Sequence, residues 1–309
     1  DYDLINLVVM YAHDMTNMNS LYEAMHHCMT LSIDIILLSM GSIFPSDSFM
    51  LKTLVNQLAA KGIVIIAAQS NSGKLTFPAS FPEVLSVQRD HDHLLLDNQY
   101  HIQCENLLGV DVTMNYDILL EGLGVPERNS FIVPILASLV LPFMQNKKMS
   151  KCDLLTLLST STTESQALPV TYTRSVKSDR YSRICCCCED ISQYRYVNNL
   201  LRTLNLSYNV QTLCVCFDAD LSQAGWIKLQ TQDSVLDQIT LLEINSTVEL
   251  LIICCTGAQF ELSTHNVDID MLLKINYDND VKFYKEGKQI VNANIKYIDA
   301  ARVIVDYLS

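Results

Sequence analysis

The 309-residue chain has no run of about 18 apolar residues, so it is not expected to cross a membrane as a helix. It has no signal peptide pattern. It has no basic patch: 21 Lys and Arg are scattered among 34 Asp and Glu, for a formal net charge of −13. Nucleic-acid binding needs a basic stripe or face, so nucleic acid is excluded as a partner, and no membrane partner is expected. The first residue is not Met, and the chain opens directly on the apolar run Leu4–Met10, which reads as a buried strand. The expectation is a fragment cut in mid-strand.

Apolar residues make up 49% of the chain and charged residues 18%, enough for a substantial core. The length suggests about two domains. There are eleven cysteines, many inside strand-like runs, and Cys185 to Cys188 are consecutive. Neighbouring strand residues face opposite ways, so four adjacent cysteines do not form a ligand cluster. Buried thiols behave as small hydrophobes, and disulfide scaffolds belong to small secreted chains. Reduced thiols and a cytoplasmic setting are therefore expected.

Strands and helices alternate along the first half. Strands are expected at Asp34–Met40, Gly62–Ala68 and Pro82–Val87, and helices at Asn19–Thr30 and Phe49–Ala60. Leu51, Leu54, Val55 and Leu58 share one face of the second helix, and Gly62 ends it. Residues 90–128 are irregular, with short strands at His101–Cys104 and Val110–Met114. Asn129–Phe143 is a strongly apolar helix. The alternation resumes with strands at Arg183–Cys188, Val210–Phe217 and Glu249–Cys255, separated by helices at Ser192–Leu206 and Gln232–Leu242. Met271–Tyr277 and Val281–Val291 read as antiparallel strands, the latter turning at Gly287, and Tyr297–Leu308 as a terminal helix. The fold class is α/β: a parallel-sheet domain over residues 1–150, then a second, smaller α/β domain over residues 160–309. The polar stretch Thr160–Ser182 contains the linker.

The second domain lacks the glycine-rich loop that lets backbone amides reach a phosphate. Its first strand is followed by Cys188-Glu189-Asp190-Ile191-Ser192, whose two acids repel phosphate. Asp218 and Asp220 read as solvated loop acids. No cofactor and no metal site is expected. His26 and His27 read as solvated helix residues. His91 and His93, alternating with Asp90 and Asp92, read as a polar loop.

Four segments, in order, resemble the subtilisin-like serine proteases. Asp34-Ile35-Ile36-Leu37-Leu38-Ser39-Met40-Gly41 is similar to the family's D-V-I-N-M-S-L-G strand. Gly62 to Gly73, ending Ala67-Ala68-Gln69-Ser70-Asn71-Ser72-Gly73, resembles G-V-V-V-V-A-A-A-G-N-x-G. Phe77-Pro78-Ala79-Ser80-Phe81-Pro82-Glu83-Val84 tracks Y-P-A-x-Y-P-x-V. Asn129-Ser130-Phe131-Ile132-Val133-Pro134 aligns with G-T-S-M-A-x-P. Gly109-Val110-Asp111-Val112 resembles the G-V-D-I strand between them. The resemblance implies a subtilisin-like catalytic domain, N-terminally truncated, acting on a peptide or protein substrate. Ser130 would be the nucleophile and Asn71 the oxyanion donor. Ser39, Met40 and Gly41 would line the substrate groove, with Ser70 beside it.

Elementary chemistry agrees. A serine at the start of an apolar helix has dipole potential and backbone N–H groups beside a developing oxyanion. Pro134 falls in the first turns, where its missing N–H costs little. The family's small residues before the nucleophile are Arg128-Asn129 here, and Phe131-Ile132 follow it. The family's D-[ST]-G and H-G-T-H motifs, which supply the triad Asp and His, are absent. Without them a serine site keeps only about 10³–10⁴ over water. Two readings stand: a fragment of a serine endopeptidase, inactive as this chain alone, or a pseudoprotease that binds peptides in a maturation scaffold.

Overall fold

A computed structural model describes residues 2–9, 17–103, 106–144, 147–161, 182–217, 226–230, 234–257, 259, 267–276, 280–285, 287–293 and 296–308. Asp218, Asp220, His13, His265 and nearly all of the linker lie outside these residues. Two compact units emerge. One comprises Asp1–Ser42, Met50–Ser72 and Thr76–Thr171, and the other Ile43–Phe49, Gly73–Leu75 and Tyr172–Ser309.

In the first unit the apolar runs become strands β1 (Ile35–Leu38), β2 (Val64–Ala68), β3 (Val84–Arg89), β4 (Gln99–Ile102) and β5 (Val112–Asn115). Their order is β1-β2-β3-β5-β4, parallel except for β4, which runs antiparallel to β5. All five β2 residues are buried, as a strand covered on both faces requires. Helices are α1 (Met18–Cys28), α2 (Pro45–Ala60), α3 (Asp117–Gly122), α4 (Asn129–Val140) and α5 (Lys151–Ser161). Asn17 caps α1 by accepting from Ser20 N at 2.8 Å. The α2 face of Leu51, Leu54, Val55 and Leu58 is fully buried. On α4, Ile132, Val133, Leu136, Ala137 and Val140 pack against β2, β3 and β5 side chains.

Three expectations are corrected. Leu4 to Val9 form no strand, and Leu4, Ile5 and Val8 are exposed. A strand exists by pairing as well as by composition, and the ladder on the described side of β1 is with β2 alone. Residues 90–128 are less irregular than expected, because they contain α3. No element was expected between residue 143 and the linker, yet Lys151 opens α5 and pairs with the buried Asp111 at 2.8 Å.

The second unit holds a seven-stranded sheet ordered β12-β11-β10-β6-β9-β7-β8. Its strands are β6 (Ser182–Cys188), β7 (Thr212–Cys216), β8 (Ile227–Lys228), β9 (Leu250–Thr256), β10 (Met271–Ile275), β11 (Val281–Lys285) and β12 (Lys288–Ala293). The sheet is parallel from β10 to β8, and β11 and β12 are antiparallel additions. Helices α6 (Tyr194–Ser207), α7 (Val235–Ile244) and α8 (Tyr297–Leu308) complete it. The cysteines alternate as the pleat dictates. Cys186, Cys188, Cys214, Cys216 and Cys254 join one apolar cluster, while Cys185 Sγ meets Cys255 Sγ at 3.6 Å away from it. Burial pushes the Cys186, Cys214 and Cys254 thiols well up, which keeps them protonated. Among the described residues no group of three His, Cys, Asp or Glu could hold a metal ion, and no helix is long and apolar enough to cross a membrane.

Candidate functional site

The first N–H groups of a helix have no partner inside it. At the start of α4 the N-cap is Arg128, in extended conformation, and its side chain makes no capping bond. The cap comes from elsewhere: Asn71 Oδ1 accepts from Asn129 N at 2.8 Å. This bond holds the Asn71 side chain at the helix start, one residue before Ser130. Ser130 is half-buried in the first turn. Two sequence-predicted residues 59 positions apart by numbering are thus brought to one helix end.

Asn129, 1% exposed, locks this arrangement. Its Oδ1 accepts from Arg89 N at 2.8 Å, and its Nδ2 donates to Gln69 O at 3.0 Å and Ser70 O at 3.1 Å. One side chain therefore ties the ends of β2 and β3 to the residue preceding Ser130. Sequence reasoning treated Asn129 as a departure from a small-residue pattern. The missed signal was a fully capable amide at a helix start next to apolar strand ends, where open backbone groups need partners.

Pro134 lies inside α4, in its second turn. Its missing N–H would have donated to the carbonyl four residues back, which is Ser130 O. Ser39 fills the gap: its Oγ donates to Ser130 O at 3.1 Å. This bond joins the predicted groove strand to the predicted nucleophile. Met40 is half-buried beyond it, and Gly41 approaches the neighbouring segment closely. A Cβ on Gly41 would stand 2.6 Å from Phe77 O and 2.8 Å from Thr76 Cγ2. The adjacent Ser42 and Phe77 exchange backbone hydrogen bonds at 2.8 and 2.7 Å. Ser70 turns its hydroxyl to Ser72 Oγ at 2.8 Å, and its N–H donates to Thr76 Oγ1 at 3.0 Å.

Charge behind the site is organised by Arg89, a buried residue at the end of β3. Its guanidinium bonds Asp117 at 2.6 and 2.7 Å and Glu127 at 2.8 Å. The hydrogen bond from Arg89 holds the Asp117 carboxyl below the usual carboxylate range. His93 Nδ1 lies 3.3 Å from Asp117 Oδ2. His91, expected as a plain loop residue, lies within the electrostatic reach of Arg89 and Asn129. Its imidazole is pushed down from the ordinary histidine value by partial burial and then by the Arg89 charge, against the opposing pull of Asn129. Burial raises the Asp111 carboxyl, with Lys151 and Ser86 pulling it back down. Asp111 Oδ2 accepts from Ser86 N at 2.7 Å, and Gly109 O accepts from Ser86 Oγ, which fixes the Gly109–Val112 motif against β3.

No family model and no curated protein matches the sequence. Two solved structures are similar in part. The first is the prenylagaramide maturation protease PagA, at 16% identity, covering 51% of this chain and 62% of that one, with a TM-score of 0.35. The second is the self-cleaved protease domain of PatA, at 16% identity, covering 47% of this chain and 69% of that one, with a TM-score of 0.25. This chain therefore spans 62% of the PagA length.

His26 and His27 are exposed on the last turn of α1, and His101 is on β4. Among the described residues no histidine is hydrogen-bonded to Ser130. The arrangement thus provides a hydroxyl in the first turn of a helix and a side-chain amide tied to that helix end. Among the described residues no general base is bonded to that hydroxyl.

Proposed function

We propose that the first unit carries the nucleophile half of a subtilisin-like serine endopeptidase site. Ser130 Oγ is the nucleophile, and Asn71 Nδ2 with the backbone N–H of Ser130 receives the oxyanion. In acylation Ser130 Oγ bonds the scissile carbonyl carbon and loses its proton to a base. The C–N bond then breaks and the amine leaves with that proton. Ser39, Met40 and Gly41 pair with the extended peptide as an added strand, with Ser70 across the groove. The observation that supports this reading best is the Asn71–Asn129 hydrogen bond of 2.8 Å beside Ser130. An Asn that served only as a cap would have no need of the nucleophile position and groove motif around it.

Neither the triad Asp nor the His motif occurs in these 309 residues, so this chain alone turns over peptides at a negligible rate. The second reading, a pseudoprotease that binds peptide in the same groove, is favoured by the bulk of Arg128 and Phe131 on either side of the site. Fluorophosphonate labelling of the full translation product containing this sequence separates them. An adduct on Ser130 that vanishes in Ser130→Ala supports the endopeptidase. Peptide binding with no adduct supports the pseudoprotease.

A further inference from the structure

Soluble domains rarely leave several large apolar side chains exposed side by side. In the first unit, Leu94 is 47% exposed, Leu96 73%, Ile118 67%, Leu119 42% and Leu123 65%. They belong to two segments that are tied together. Ile118 N donates to Asp97 Oδ1 at 3.2 Å, Asn115 Nδ2 donates to Leu95 O at 2.8 Å, and His93 meets Asp117 at 3.3 Å. The patch adjoins the candidate site. Arg89 clamps Asp117, the first residue of α3, to Glu127, three residues before Ser130.

Its charge is one-sided. Residues 92–97 and 117–128 bring Asp92, Asp97, Asp117, Glu121 and Glu127, against Arg128 and the clamping Arg89. Asp117 and Glu127 share a single guanidinium, so negative charge remains in excess at the rim. An apolar centre with an acidic rim complements a ligand of apolar and cationic residues. We propose that this face of α3 and the 94–97 loop docks a cationic, apolar-rich peptide segment, the part of the substrate that flanks the bond presented to Ser130. The proposal rests on the peptide-processing reading of Ser130 for its substrate, but the docking surface does not use the Ser130 hydroxyl.

The test is fluorescence anisotropy with a short fluorescein-labelled peptide of alternating leucine and lysine, with a leucine–glutamate peptide as control. The native chain should bind the first peptide, more weakly as salt rises, and not the second. Ile118→Ser with Leu123→Ser should weaken binding by about tenfold or more, because two anchors lose apolar contact. Glu121→Lys should weaken it too, and it leaves the apolar contacts in place if the double variant misfolds. Ser130→Ala should bind as the native chain does. Unchanged affinity in these patch variants, a preference for the acidic peptide, or no binding overturns the proposal. So does a concentration-dependent dimer that the double variant abolishes, since a second copy would then be the occupant. Loss of Ser130 labelling with intact peptide binding would count against the catalytic reading alone.

Discussion

Replacing Asn129 by Ala should unlock the candidate site. The substitution leaves three backbone groups without their partner: Arg89 N, Gln69 O and Ser70 O. Arg89 and Gln69 are buried, whereas Ser70 is half-exposed, so water can replace the last bond. At about 1–3 kcal/mol for each buried group left unsatisfied, the loss is about 3 kcal/mol. Such a loss raises the local opening equilibrium about 100-fold. Hydrogen exchange followed by mass spectrometry suits a two-unit chain, for which a single global unfolding midpoint is poorly defined. Amides at 66–71 and 87–91 should exchange about 100-fold faster, while those in β6 and β9 stay unchanged. Asn129→Asp should fare no better, because it keeps the acceptor for Arg89 N but sets a carboxylate against two carbonyl oxygens. Ser138→Ala, exposed on the same helix, is the control. If Asn129→Ala left exchange at 66–71 within about twofold, the bonds around Asn129 would not carry the stability assigned to them.

Gly41→Ala should destabilise the first unit by about 2 kcal/mol or more, since the new Cβ meets a backbone oxygen that cannot move aside; faster hydrogen exchange in β1 and β2 with β6 and β9 unchanged will show it. The His91 imidazole has a folded pKa lowered from 6.5, so the unfolded chain binds its proton first. Protection of residues 89–95 should then be full above about pH 6.5 and decline as pH falls below it, and His91→Gln should flatten this profile. Asp117, also depressed, extends the loss further: its contribution is present above its unfolded value of 3.8 and disappears as pH falls through the lower folded value. Cys187 is half-exposed, but its hydrogen bond with Cys255 and its burial push the thiol far up, so iodoacetamide at neutral pH should modify the exposed Cys152 well before it.

Most of the framework was legible in the sequence because it follows from periodicity. The apolar runs 35–38 and 64–68 are continuous, and Val84, Leu85 and Val87 follow a Pro-containing turn, so these segments read as buried strands without help. The α2 face could be listed residue by residue. Leu4–Val9 failed for a physical reason: composition qualifies a segment for a sheet, but hydrogen-bonded pairing decides it. Helix α3 was hidden by its shortness and by the exposure of Ile118 and Leu119, which break the expected apolar face. At the site, Ser130, Asn71 and Ser39 could be named from motif order, because each stands at the end of a regular element. Asn129 and Arg89 could not. Their roles come from several partners distant in sequence, and no local pattern encodes which open carbonyls an amide will meet. The reciprocity between Pro134 and Ser39 was also invisible, since it runs through the bond between Ser39 and Ser130, 91 positions apart.

Fluorophosphonate labelling of the full translation product, read by peptide mapping, tests the central claim most directly. The account predicts a single adduct on Ser130, lost in Ser130→Ala and strongly slowed in Asn71→Ala, by about 10²–10³ if Asn71 stabilises the oxyanion as proposed. Labelling that spares Ser130 in a folded protein, or that is indifferent to Asn71, would contradict it.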